Sequence, residues 1–414
     1  MFRIMLAFIA VLLSAGFVHA QDWPEFRGPS GQGIVAAGKL PTEWTATKNV
    51  VWKQPIPGLG WSSPVIWQGK IYLTTAVQAE GKPDYSLRTL CLDAQTGKIL
   101  WDTEIFQQDG KTAPKIHSKN SHASPTPIVD GQRVYVHFGH QGTAALDLNG
   151  KILWKTTELK YSPVHGNGGA PILVDNALIF SCDGASKPFV AALDKATGKT
   201  LWQTERKTGS GKKFAFSTPA LITVNGQKQV VSPGAGAVCA YDPATGKELW
   251  RVDYGQGYSL IPKPVFGNGL VFVTTGYDSA GLRAIRPDGS GDVTKSPVAW
   301  SLDKAVSLTP SLLLVGDELY MVSDNGIASC LNAKTGEVHW QERIPGNYSA
   351  SPMLANGLIY FQNEQGLGTV VKAGTKFEVV AKNNLGERTL ASYAASNGAL
   401  FIRTDKNLYR IEEK

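Results

Sequence analysis

Apolar and polar residues alternate along this chain in short runs, not at helical spacing. Runs rich in β-branched and aromatic residues lie at 70–75, 133–138, 178–182, 229–233, 270–275, 319–323 and 358–362. Each follows a proline-led segment, at Ser63-Pro64, Ser124-Pro125, Ala170-Pro171, Thr218-Pro219, Ile261-Pro262, Thr309-Pro310 and Ser351-Pro352. Proline is tolerated where a strand begins, because its missing N–H falls at the start of the ladder. A turn residue separates the two runs each time: Gly69, Gly131, Asn176, Gly226, Gly269, Gly316 or Gly357. Such patterning predicts strands throughout.

A third strand then leads into a recurring motif. Residues 92–101 read Leu-Asp-Ala-Gln-Thr-Gly-Lys-Ile-Leu-Trp, and near copies occupy 193–202, 241–250 and 331–340. A copy one residue shorter occupies 146–154, and a degenerate one ends at Trp300. The longest step between successive tryptophans is 53 residues (101 to 154) and the shortest is 40 (300 to 340). A period of this length signals a solenoid, a propeller or an array. The Asp can bond the backbone of the following turn, and Gly supplies the positive φ that turn needs. The fourth strand runs out to Trp. An aromatic in register on every repeat suits the burial of one four-stranded sheet against the next. Trp52, Trp101, Trp154, Trp202, Trp250, Trp300 and Trp340 are therefore read as blade-docking residues.

Counting the repeats closes a ring. Seven begin at the prolines, the seventh with a weak outer strand at 377–381. Residues 392–412 add three strands and lack a fourth. The segment 50–54 is an outer strand with no partners before it, so it completes an eighth blade and leaves no open end. The prediction is all-β: an eight-bladed β-propeller of four-stranded antiparallel blades, closed by the N-terminal strand. Seven blades is the alternative if the C-terminal strands prove irregular.

The repeats Ala192-x-Asp194-x-x-Thr197-Gly198-Lys199-x-x-Trp202 and Ala240-x-Asp242-x-x-Thr245-Gly246-Lys247-x-x-Trp250 resemble the tryptophan-docking motif of the pyrroloquinoline-quinone (PQQ) repeat family. The resemblance covers residues 50–412. It implies the eight-bladed fold, which the family uses both in quinoprotein alcohol dehydrogenases and in non-enzymatic relatives such as the lipoprotein component of the outer-membrane β-barrel assembly machinery. The motif serves blade packing, so it is specific for fold and weak for function.

Composition sets the compartment. Residues 1–20 have a charged start at Arg3, an apolar stretch and Val18-His19-Ala20 before the expected cleavage point, which reads as an export signal. Residues 21–48 follow as an arm expected to lie extended over the propeller, with Arg27 on a carboxylate or a carbonyl; 49–414 form the propeller. No further apolar run is long enough to span a membrane. Cys91, Cys182, Cys239 and Cys330 are expected to be free and buried, the first, third and fourth at like places in the repeats. The net charge of +7 is spread along the chain, so no nucleic-acid partner is expected. The protein is expected to be exported, periplasmic or secreted, and monomeric.

Loops that precede inner strands should rim the central channel together with the ends of second strands. This places Trp61, His122, Asn167, Tyr258 and Tyr348 beside His140, Asp183, Tyr277, Asp278, Asp324, Asn325 and Glu364 on a funnel face, with Phe216 and Ser307. Such a mixture suits a ligand or a peptide. Five of the seven histidines fall between 117 and 165, without ligand spacing, so no metal site is assigned. Lysines 111, 115, 119, 207, 212 and 213 sit on two long loops of the same face. Enzymatic members of the family hold PQQ on a calcium ion, with an Asp base, a stacking Trp and, in the larger ones, a disulfide between adjacent cysteines. That disulfide has no counterpart here, and no spacing singles out an Asp or Trp. The resulting expectation is a binding or scaffold protein with a protein or peptide partner on its funnel face, no cofactor and no catalysis. The alternative is a PQQ-dependent alcohol dehydrogenase-like oxidoreductase with calcium.

Overall fold

The computed structural model describes residues 22–36, 38–294 and 298–413. The export signal assigned to residues 1–20 lies outside the described residues. The chain forms eight sheets, each with four antiparallel strands, arranged as a β-propeller. Blade 1 runs Val65–Trp67, Lys70–Gln78, Tyr85–Asp93 and Ile99–Gln108 from the channel outward. Blades 2 to 7 repeat that order. Blade 8 joins Ala394–Ser396, Ala399–Arg403 and Asn407–Ile411 to Val50–Pro55, which pairs antiparallel with the last of these. The ring is therefore closed by strands from both ends of the chain.

The repeated motif is a local device with a long-range purpose. Asp93 Oδ1 accepts from the Thr96 N–H at 2.7 Å and the Thr96 hydroxyl at 2.8 Å, and Asp194 and Asp242 repeat both bonds. The turn then places Gly97 at φ +76°, directly beneath Trp52 of blade 8. A Cβ on Gly97 would sit 2.8 Å from the Trp52 ring. The same stacking sets Trp101 on Gly150, Trp154 on Gly198, Trp202 on Gly246 and Trp300 on Gly336. Each indole N–H also donates to a carbonyl of the next blade, as Trp52 does to Ala94 O at 3.1 Å and Trp340 does to Gly374 O at 3.0 Å. A single residue thus supplies both apolar burial and a satisfied polar handle at a blade junction.

Blade 5 departs from the pattern. Its third strand, Leu282–Ile285, leads into an insertion whose Gly291–Asp292 pairs parallel with the outer strand of blade 4. The usual turn is missing there, and Trp250 is completely buried.

The cysteines are free and buried. Cys91, Cys239 and Cys330 stand on third strands and Cys182 on a second strand.

The N-terminal arm does not lie over the propeller; it enters the channel. Trp23 pairs with Ile66, Pro24 O accepts from Val129 N, and Ile34–Val35 runs parallel to Met353–Ala355. These contacts lie further along the inner strands than their first residues, so the arm fills the end of the channel opposite the long loops. It leaves past Trp44, which packs 6.4 Å from both Tyr360 and Tyr393. Arg27 does bond carbonyls, those of Gln32 and Leu312, each at 2.6 Å. The channel is consequently blind at that end.

Candidate functional site

A cavity of about 320 Å³ occupies the channel axis on the funnel side. Phe26 of the arm contributes to it, and Trp61, Phe214, Phe216, Tyr258 and Tyr277 give it aromatic walls. Serine and threonine hydroxyls from six blades line it further in. Two non-glycine residues of its wall, His165 (φ 64°) and Ser259 (φ 56°), hold left-handed backbone. Such strain is maintained only by well-determined surroundings and clusters at binding sites.

Long loops roof the cavity. The loop that leaves blade 1 spans the mouth: Lys119 Nζ lies 2.8 Å from Glu364 Oε1 and 3.9 Å from Asp324 Oδ2. Ser118 O accepts from Arg388, whose guanidinium lies over the Trp61 ring at 5.3 Å. His117 and Asn120 tie the loop to His165 O. A second loop is pinned by Lys212, which bonds Asp278 at 2.9 Å and sits 3.8 Å above the Tyr258 ring. Lys119 and Lys212, read from the sequence as loop lysines, are therefore clasps across the mouth.

The carboxylates around the cavity are occupied. Asp324 accepts from Leu308 N, Thr309 N, the Thr309 hydroxyl and, at 3.4 Å, Tyr277 OH. Glu364 takes Lys119 and the Ser349 hydroxyl. No carboxylate is among the residues that line the cavity. Among the described residues no three His, Cys, Asp or Glu side chains converge as a metal site.

The expected funnel residues divide into three groups. Trp61, Phe216, Tyr258 and Tyr277 line the cavity. Asp324, Glu364 and Asp278 hold its loops, and Asn325 accepts from the Ser323 hydroxyl at 2.6 Å beside them. The remainder do not line the cavity. His122 stacks on Tyr85 at 4.4 Å, and burial pulls its pKa down to about 4, with help from His140. His140 meets Asn167, which Tyr161 also bonds, and burial lowers the His140 pKa. Asp183 is buried against Arg206 at 2.5 Å, and Arg206 also donates to the Ser232 hydroxyl of blade 4. Tyr348 is fully buried and donates to Pro345 O, while the Ser307 hydroxyl donates to Pro310 O. The hydroxyl lining and Phe214 were not among the expected site residues. Several of those hydroxyls do lie beside the prolines that open inner strands, a signal that was present in the sequence.

Fold and site together define a β-propeller with a blind, roofed funnel. The chain belongs to the PQQ-like propeller family: the model described as outer membrane protein assembly factor BamB matches residues 45–186 and 186–414. BamB from Moraxella catarrhalis is similar in structure over 88% of this chain and 97% of that one, at 15% identity and a TM-score of 0.61. Quinohemoprotein alcohol dehydrogenase from Comamonas testosteroni is similar over 95% and 81%, at 12% identity and a TM-score of 0.68. At these identities the likeness is one of fold. In sequence, tetrathionate hydrolase of Acidithiobacillus ferrooxidans is 28% identical over 183 residues, 42% of this chain. Polyvinylalcohol dehydrogenase of a Sphingopyxis species is 33% identical over 64 residues, 16% of this chain. The matched segments span 34% and 10% of those two relatives. Neighbours thus include both an assembly factor and quinone enzymes. Among the described residues no helix is long and apolar enough to cross a membrane.

Proposed function

We propose that this chain is an exported, monomeric binding protein that engages its partner through the funnel face and carries out no reaction. The observation that carries this reading is the state of the carboxylates: Asp324, Glu364 and Asp278 are spent on holding the roof. A calcium ion needs several oxygen ligands, carboxylates prominent among them, and a quinone held on calcium would need them in the cavity. Hydroxyls, imidazoles and aromatic rings stand there instead. The residues present therefore do not fit a calcium-held quinone. The signal-like residues 1–20 support export. The family description, an assembly factor, supports a protein or peptide partner on the rim.

The quinoprotein-dehydrogenase reading is favoured by the likeness to the Comamonas enzyme and by the aromatic walls. A thermal melt with and without PQQ and calcium separates the two. A ligand that binds only the native state, at about a hundred times its Kd, adds roughly 2.7 kcal/mol. Calcium alone should give no shift, and the response to PQQ should not depend on calcium. A rise that requires both additions would overturn the non-catalytic reading.

A further inference from the structure

The residues that open the eight inner strands form a girdle: Ser63, Thr126, Ala170, Thr218, Lys263, Ser311, Ser351 and Ser392. Backbone N–H groups link them from blade to blade. Ser392 donates to the Ser63 hydroxyl at 3.2 Å, and Ser63 to Thr126 at 3.0 Å. Ala170 donates to Thr218 at 2.9 Å, Lys263 to Ser311 at 3.0 Å, Ser311 to Ser351 at 3.0 Å and Ser351 to Ser392 at 2.9 Å. The circuit breaks only where Ala170 and Lys263 offer no hydroxyl. All six hydroxyl-bearing residues line the cavity and are more than nine-tenths buried.

Hydrogen-bond accounting gives the girdle a sign. Each of these oxygens accepts a neighbour's N–H, and none finds an acceptor for its own hydrogen among the described residues. A hydroxyl carries one donor, and a buried donor without an acceptor is costly. The cavity therefore presents a ring of unspent O–H donors and no carboxylate.

Two buried cations beside the girdle lack a counter-charge. Arg27, 2% exposed, bonds the carbonyl of Leu312, next to Ser311; its Nε and Nη1 have no partner. Arg403, 1% exposed, bonds the carbonyl and hydroxyl of Ser62, next to Ser63. Neither forms an ion pair among the described residues. Burial pulls both guanidinium groups down to about 9. Unpaired buried charge is expensive, and an anion in the channel would offset it.

We propose that the girdle is an oxyanion site: six hydroxyls donate to the sulfate, phosphate or carboxylate group of a small anion, and Arg27 and Arg403, outside the cavity lining, add positive potential to it. The inference deepens the reading of the funnel as a binding face and rests on it. Phe214, Phe216 and Tyr258 leave an aromatic wall for an apolar body attached to the anionic group.

The test is a titration of the whole chain with sodium sulfate, sodium phosphate and sodium benzoate against chloride of matched ionic strength, followed by melting temperature and by calorimetry. A saturable rise is expected. Ser351→Ala and Thr218→Val should each weaken the apparent affinity by about tenfold or more, since hydrogen bonds to charged groups are strong. If Ser351→Ala folds poorly, Thr126→Val, close in shape to the original, replaces it. Saturation by sulfate or phosphate alone assigns an inorganic oxyanion; saturation by benzoate alone assigns an organic carboxylate. Sulfate and phosphate also stabilise proteins by exclusion from their surface, without saturating. A rise that never saturates and is unchanged in the variants would overturn the site, as would no rise at all. Either failure leaves the binding reading intact, because these titrations contain neither PQQ nor calcium.

Discussion

The Trp250 indole donates to Gln229 Oε1 at 2.7 Å, within its own blade, and the Gln229 amide reaches on to Pro287 O at 3.3 Å. Every other docking tryptophan spends its N–H directly on a carbonyl of the following blade. Gln229 is 4% exposed and stands in for the turn that blade 5 lacks. Gln229→Leu should therefore strand a buried indole N–H and a carbonyl together. We expect a loss of about 1–3 kcal/mol, read by denaturant unfolding.

Gly198 and Gly226 separate two costs. Both have positive φ, +75° and +80°. A Cβ at Gly198 would meet the Trp154 ring at 2.5 Å, whereas Gly226 has nothing within 4 Å. Gly226→Ala should cost about 1–2 kcal/mol of left-handed strain. Gly198→Ala should add about 1–3 kcal/mol for overpacking a blade junction. Equal losses in the two variants would refute the idea that the tryptophan selects the glycine.

Trp44 tests how firmly the arm is held. It is 1% exposed, packed against Tyr360 and Tyr393, and its indole nitrogen has no partner. Trp44→Ala should cost about 3–5 kcal/mol as a large buried aromatic. Trp44→Phe should cost much less, because no hydrogen bond is lost. Comparable losses would point to a polar role for the indole.

Glu387 sets an acid limb. Its carboxylate accepts from Lys53 at 2.7 Å, Thr404 at 2.6 Å, Tyr409 at 2.8 Å and Asn407. Burial alone would raise its pKa; these bonds outweigh burial and lower it from 4.5 to about 2. A depressed carboxylate stabilises the fold above its unfolded pKa, and that stability is lost as pH falls through the folded value. Roughly 2–3 kcal/mol should disappear between about pH 4.5 and pH 2. Glu387→Gln should be less stable at neutral pH and should lose this part of the acid dependence. An unchanged acid limb in the variant would count against it.

The legible part of this fold is local. Asp93, Thr96, Gly97 and Trp101 interact at fixed spacing, so the blade motif and the blade count could be read from the chain. The segment 50–54 could be assigned to blade 8 because three strands without a fourth stood at the other end. Side-chain destinations around the channel were harder. Asp183 and Asp324 occupy like places in their repeats, yet one is buried by Arg206 and the other roofs the funnel through Thr309 and Lys119. Those partners come from separate blades or loops, and their meeting depends on ring geometry. Five of the six girdle hydroxyls were visible only as neighbours of prolines and Ser392 had no such mark, because the link from Ser392 to Ser63 exists only after the ring has closed.

Closure also has a meaning in time. Val50–Pro55 is synthesised before every blade that separates it from its hydrogen-bond partner, Asn407–Ile411. Blades 1 to 7 can form from local segments as they emerge, but the outermost strand of blade 8 must wait for Asn407–Ile411. Contacts so distant in sequence make folding slow. Until they form, an incompletely folded chain carries an unpaired strand edge, which is prone to aggregation. The clasp of Lys53 and Tyr409 on Glu387 ties these two late-meeting strands together, and the link from Ser392 to Ser63 depends on the same closure.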